Sequence, residues 1–206
     1  MGFKRGDHIC ALYSTTAELT REVADFLAEG IRSHERCWYV GVGHEMDSVR
    51  LALQKSGIDT TAEAGRGGLV FEIWRRRLPR PRNVQFNDAI EQAYTDGFTG
   101  FRAAAEMSWA LDCEDRADQV IVYEALLKSL FASCRAIGLC LYDRKRMPLG
   151  IINGALATHP VVGCQENYRA NPFYEPATSS PARVQDSDVL ARLNQLDRAG
   201  GNRNRL

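Results

Sequence analysis

Residues 37–57 read CWYVGVGHEMDSVRLALQKSG. An apolar run from Cys37 to Val42 leads through a glycine-containing turn into apolar residues at helical spacing. A strand that does not alternate is buried on both faces, so it belongs inside a mostly parallel sheet. Strand, glycine turn and helix are also the parts of a phosphate-binding loop, so GVGHEM at 41–46 has to be tested as one. Such a loop needs glycines that admit an anion to the backbone N–H groups, and usually a lysine followed by Ser or Thr. The third glycine of the dinucleotide fingerprint is absent, and no GK[ST] occurs anywhere in the chain. Glu45 and Asp47 would place negative charge at the helix N-terminus, which suits the helix dipole and repels phosphate. The stretch therefore reads as a tight βα turn with a self-capped helix.

The same alternation extends in both directions. HICALY (8–13) is a short apolar strand, and the helix over 14–35 follows it. In that helix Thr15 and Glu18 have capping-box spacing, while Leu19, Val23, Phe26, Leu27 and Ile31 share one face. Gly57 stands where the helix over 45–57 should stop. Beyond it come a strand at 67–74, an arginine- and proline-rich loop at 75–82, and a helix at 83–97 carrying Phe86, Ile90 and Tyr94. A strand over 101–109 precedes a long helix over 114–134, with Val120, Tyr123, Leu127 and Leu130 on one stripe. A strand at 137–143, a helix at 148–159 and a short strand at 160–164 complete the series. Strands alternating with helices predict an α/β fold with a parallel sheet covered on both faces. Residues 1–176 form the domain, and 177–206 are a linker and an amphipathic helix through Val189, Leu190, Leu193 and Leu196.

Composition narrows the function. The 26 basic and 26 acidic residues cancel, so no global charge draws the chain to nucleic acid or an anionic membrane. The N-terminus lacks a signal peptide and no apolar run is long enough to span a bilayer. Six scattered cysteines without a CxxC pair suit buried thiols in a reducing cytoplasm better than disulfides or a zinc site. The basic loop at 75–82 could hold an anion, but it lacks a DNA-reading motif, so direct nucleic-acid binding is not expected.

In an open α/β sheet, ligands bind beyond the carboxyl ends of the strands. There the sequence places Tyr13 and Ser14, then Gly43, His44 and Glu45, then Glu72 and Trp74, then Glu106, Ser108 and Trp109, then Tyr142, Asp143 and Arg144. Aromatic walls with a few polar anchors suit a small-molecule pocket, although the aromatics could equally cap the core. Glu106 follows RAAA, so it should be buried and needs a partner such as Arg102, Arg144 or His8. It is either a ligand contact or half of an internal ion pair. His8 and Cys10 share a strand face and could begin a metal site, but no second ligand pair is spaced to complete it. His44 and His159 fall in loops. The candidate ligand-binding residues are thus His8, Tyr13, Trp74, Glu106, Ser108, Trp109, Tyr142, Asp143 and Arg144, with no catalytic or metal residue assigned and no cofactor indicated.

GDHICALYSTTAEL, VADFLAEGIRSHERCWYVGVG, GFRAAAEMSWAL, YEALLKSLF, LCLYDRKRMP, ALATHPVV and NPFYEP occur in register. Together they resemble the MEDS domain, a methanogen and methylotroph sensory domain, over about residues 5–176. The resemblance implies a RecA/KaiC-like three-layer sandwich without its phosphate loop, HICALYSTTAEL standing in that loop's place with neither glycine nor lysine. It further implies a non-enzymatic sensor of a small molecule, with hydrocarbon derivatives of the halogenated or methylated class as the implied ligands. Signalling partners would be a histidine kinase, an anti-sigma factor or a transcription regulator. The roughly thirty residues after NPFYEP are too few for an output domain, so output would come from a partner or from a homodimer. Residual ATP binding and a pure interaction module are the alternatives.

Overall fold

The computed structural model describes residues 2–73, 82–112, 116–133, 136–164, 167–175 and 185–201. Strands and helices alternate as β1 (His8–Tyr13), α1 (Thr16–Arg32), β2 (Arg36–Gly41), α2 (Gly43–Lys55), α3 (Thr60–Gly65) and β3 (Leu69–Ile73). They continue as α4 (Arg82–Thr95), β4 (Phe101–Glu106), α5 (Arg116–Ser133), β5 (Ala136–Asp143), α6 (Leu149–Thr158), β6 (Val161–Cys164), β7 (Asn167–Ala170) and α7 (Asp186–Gly201). A single sheet runs in the order β3-β2-β4-β5-β1-β6-β7. Every pairing in it is parallel except β6 with β7, which is antiparallel. This is the expected α/β sandwich.

Local chemistry explains the element ends. Thr15 Oγ1 accepts from the N–H of Glu18, and Glu18 Oε2 accepts from the N–H of Ser14 at 2.7 Å, so the start of α1 is closed by its own side chains. Helix α2 ends where Gly57 takes φ +85°. The N–H of Ile58 reaches the carbonyl of Leu53 and that of Gly57 reaches Gln54, a Schellman ending that a side chain at 57 would strain.

Several boundaries differ from the sequence expectation. Helix α2 starts at Gly43 with Val42 as an N-cap that has no side-chain hydrogen bond, so this helix is not self-capped. The strand expected over 101–109 stops at Glu106, and Ser108–Asp112 form a 3-10 turn. Helix α3 and strand β7 have no counterpart in the sequence reading because each is only one turn or four residues long. Trp74, the basic loop through Pro81, Cys113, Cys134 and the linker at 177–184 lie outside the described residues.

Two cores flank the sheet. Ile9, Ala11 and Tyr13 point toward α1 and α2 with Leu19, Val23, Leu27, Val49 and Leu53. Cys10 and Leu12 point the other way, into a core with Phe86, Val120, Leu127, Phe131, Ile152 and Leu156. Helix α7 belongs to that second core through Val189, Leu193 and Leu196, whereas Leu190 is half exposed and off the stripe. Arg144 holds the end of α7 by a bidentate pair to Asp197 at 2.6 and 2.9 Å, and Arg192 donates to Asn153. The described cysteines Cys10, Cys37, Cys140 and Cys164 are all buried and free. Among the described residues no helix is long and apolar enough to cross a membrane.

Two outcomes follow for α7. Leu193→Ala should cost about 2–4 kcal/mol in urea unfolding, while Leu190→Ala should stay within about 0.5 kcal/mol. The hydrogen bond from Arg144 holds the Asp197 carboxyl below its ordinary value. A depressed carboxylate stabilises above its unfolded value and loses that contribution as pH falls through the folded one. Asp197→Asn should therefore cost about 0.5–1 kcal/mol near neutral pH, and the difference should shrink as the pH drops below about 4.

Candidate functional site

The predicted residues do not meet in one place, because side chains alternate along each strand. Tyr13, at the end of β1, and Glu106, at the end of β4, face the α1–α2 side. The Tyr13 hydroxyl donates to Glu106 Oε1 at 2.9 Å, and the N–H of Ser108 donates to the same oxygen at 3.0 Å. The partners expected for Glu106 are engaged elsewhere. Arg102 donates to Glu35 and Glu29 at the other end of β4, Arg144 serves Asp197, and His8 lies on the opposite face. A carboxylate at a strand end is closest to the turn that follows it, which is why a backbone N–H and a neighbouring hydroxyl solve its burial.

Tyr39 on β2 joins this rim, and the sequence reading missed it. Its hydroxyl is buried with no hydrogen-bond partner among the described residues. Burial, with the carboxylates of Glu45 and Glu106, pushes the Tyr39 phenol well above its ordinary value. Burial and Glu106 do the same to Tyr13. Two phenols thus lie toward the Glu106 carboxyl, and the Tyr13 hydroxyl touches it.

Two further candidates make contacts within the fold. Asp143 accepts from the N–H groups of Lys145 and Arg146, closing the turn after β5. Trp109 packs edge-on against Tyr123 at 5.2 Å, on the α5 side. Trp74 is not described.

His8 and Tyr142 sit in a second polar centre, inside the other core. Parallel register pairs His8 with Gly138, Cys10 with Cys140 and Leu12 with Tyr142. A side chain at Gly138 would strike the Phe131 ring at 2.3 Å, so glycine there lets that ring lie beside His8. Glu124, fully buried on α5, is the hub. Its Oε2 is 3.1 Å from His8 Nε2 and 3.3 Å from His159 Nε2. Tyr142 donates a short hydrogen bond to its Oε1. Cys140 Sγ is 3.4 Å from His8 Nε2 and 3.7 Å from Glu124 Oε2.

His159 was expected in a loop, but it caps the end of α6 and is fully buried. Its Nδ1 is 2.7 Å from the carbonyl of Ala155. Burial alone would raise the Glu124 carboxyl; His159 and His8 outweigh it and hold the group well below the usual carboxylate range. Burial and Glu124 raise the Cys140 thiol and the Tyr142 phenol.

Glu124 and His159 were missed by sequence reading. The signal for Glu124 was present, since it lies four residues after Val120 and three before Leu127, on the buried stripe of α5. His8, Glu124, Cys140 and His159 together present imidazole, carboxylate and thiol donors within 4.8 Å of one another, a set of the kind that can hold a metal ion.

A mostly parallel sheet with helices on both faces defines an open α/β protein. The profile of the MEDS family, the methanogen/methylotroph, DcmR sensory domain, matches residues 7–160, and the chain belongs to that family. A KaiC-like protein of the hyperthermophilic archaeon Pyrococcus horikoshii OT3 has the same fold, with a TM-score of 0.52 and 15% identity. The match covers 78% of this chain and 71% of that one. A search of curated proteins gave no match.

Tyr13→Phe removes one of the two donors to a buried carboxylate, so it should lower stability by about 1–3 kcal/mol in thermal unfolding. Tyr39→Phe should be neutral or slightly stabilising by the same measurement, because its hydroxyl is buried without a partner.

Proposed function

We propose that the chain is a non-enzymatic sensory module that binds a small organic molecule at the rim formed by Tyr13, Tyr39 and Glu106. The observation that carries this reading is the closed β1–α1 turn. Thr15 and Glu18 already occupy the N–H groups of Glu18 and Ser14, and Glu18 adds a negative charge where a nucleotide phosphate would need cations. A nucleotide hydrolase would need a lysine there, and HICALYSTTAEL supplies none. Membership of a sensory family supports the same reading.

The rim suits a ligand with one polar group and an apolar body. The Tyr39 phenol offers a donor, Glu106 offers an acceptor, and Ala11, Met46 and Leu141 of the same core are apolar. Halogenated or methylated small hydrocarbon derivatives are the class we favour. Helix α7 is the element placed to report occupancy, because Arg144 ties it to the residue following β5. A histidine kinase, an anti-sigma factor or a transcription regulator would read that report.

Tryptophan emission from the full-length chain tests the reading. Titration with halogenated and methylated small compounds should give a saturable change, and Mg·ATP should give none. Glu106→Gln and Tyr39→Phe should each weaken the response at least tenfold while circular dichroism stays unchanged. A saturable response to Mg·ATP with nucleotide hydrolysis would replace the sensor by an ATPase. Silence toward both classes would favour an interaction module.

A further inference from the structure

We infer that His8 Nε2, Glu124 Oε2, Cys140 Sγ and His159 Nε2 form a tetrahedral site for a divalent metal ion of the zinc class. The four donors come from β1, α5, β5 and the end of α6, so they are distant in sequence and meet only in the folded core. This inference is independent of the small-molecule rim, which lies on the other face of the sheet.

Geometry is the first support. Zinc–nitrogen and zinc–oxygen lengths of about 2.0–2.2 Å, with zinc–sulfur at about 2.3 Å, put tetrahedral donors roughly 3.3–3.6 Å apart. The separations here are 3.1 Å (His8 to Glu124), 3.3 Å (His159 to Glu124), 3.4 Å (His8 to Cys140) and 3.7 Å (Cys140 to Glu124). All four donor atoms fall within 4.8 Å of one another.

The tautomer of His159 is the second. A carbonyl oxygen only accepts, so the 2.7 Å contact with Ala155 assigns the proton to Nδ1. Nε2 is then the ring atom turned toward the centre. That atom is buried and has no hydrogen-bond partner among the described residues, although Glu124 Oε2 is 3.3 Å away. An imidazole nitrogen and a carboxylate oxygen facing each other in an apolar core call for a cation, a proton or a metal ion, between them. An Nδ1–H bonded to a backbone carbonyl is also the usual support of a metal-bound Nε2.

Outer contacts and charge complete the case. Tyr142 holds Glu124 by Oε1 and leaves Oε2 for the centre. One carboxylate, one thiolate, two neutral imidazoles and one divalent ion sum to zero, the balance an apolar interior accepts. Nitrogen, oxygen and sulfur donors together suit zinc or cobalt rather than magnesium or calcium. Protein groups fill all four positions, so the site has no place for an activated water and is a structural or sensing centre.

The test uses the full chain. Metal content is measured as purified, then the protein is stripped with a chelator and titrated with cobalt(II). The expected result is about one metal per chain, with the intense visible bands of tetrahedral cobalt and a thiolate-to-cobalt band in the near ultraviolet. Cys140→Ser should lose the thiolate band, and Cys10→Ala, its neighbour on the paired strand, should keep it. Tyr142→Phe should retain the spectrum with about 10–100-fold weaker affinity against a chromophoric chelator. If Cys140→Ser does not fold, the wild-type spectrum and Tyr142→Phe still decide. A folded chain without metal as purified and without cobalt uptake would overturn the site and leave an imidazolium–carboxylate cluster. Cobalt bound without a thiolate band, or a band lost in Cys10→Ala instead, would overturn it as well.

Discussion

Strand β1 has a neighbour on each edge and helices on each face, so none of its six side chains can reach water. Everything polar on it must find a partner inside the protein. Alternation sends Ile9, Ala11 and Tyr13 to one core and His8, Cys10 and Leu12 to the other. The two polar centres of the molecule therefore lie on opposite faces of the same sheet, each anchored by one β1 residue. Burial of the central strand fixes both.

Three buried charges are settled by different means. Glu106 takes a hydroxyl and a backbone N–H. Arg102, at the other end of the same strand, takes Glu35 and Glu29 together with a backbone carbonyl from α1. Glu124 has imidazoles, a phenol and a thiol around it. A buried ion pair seldom adds stability over apolar packing, whereas removing one partner is costly.

Helix α7 is fastened unequally. Three buried apolar side chains dock it on the α5–α6 side, and a partly exposed ion pair holds its far end to β5. Apolar burial supplies most of the attachment, since an exposed pair contributes little. Such a contact can change at the Arg144 end without the helix leaving the core. The apolar stripe of α7 is spent on its own domain, so self-association through that stripe would compete with this docking.

Much of this was written in the sequence. The unalternating run 37–42, the Thr15 and Glu18 cap, the stop at Gly57 and the helical stripe on α5 are local patterns, and local patterns determine element type. They gave the parallel sheet, and the missing glycine and lysine after β1 argued against a phosphate loop. Strand parity and register are decided in three dimensions. Only the folded chain brings Tyr39 toward Glu106, or gives Glu106 a hydroxyl in place of the expected arginine. His8 and Cys10 could begin a metal site on spacing alone, but no second pair along the sequence completed it, and the inferred site takes His8 without Cys10. Its other members arrive on β5, α5 and the end of α6, through contacts between residues more than a hundred positions apart. One-dimensional spacing encodes what a segment becomes, and the packing of segments decides which side chains meet.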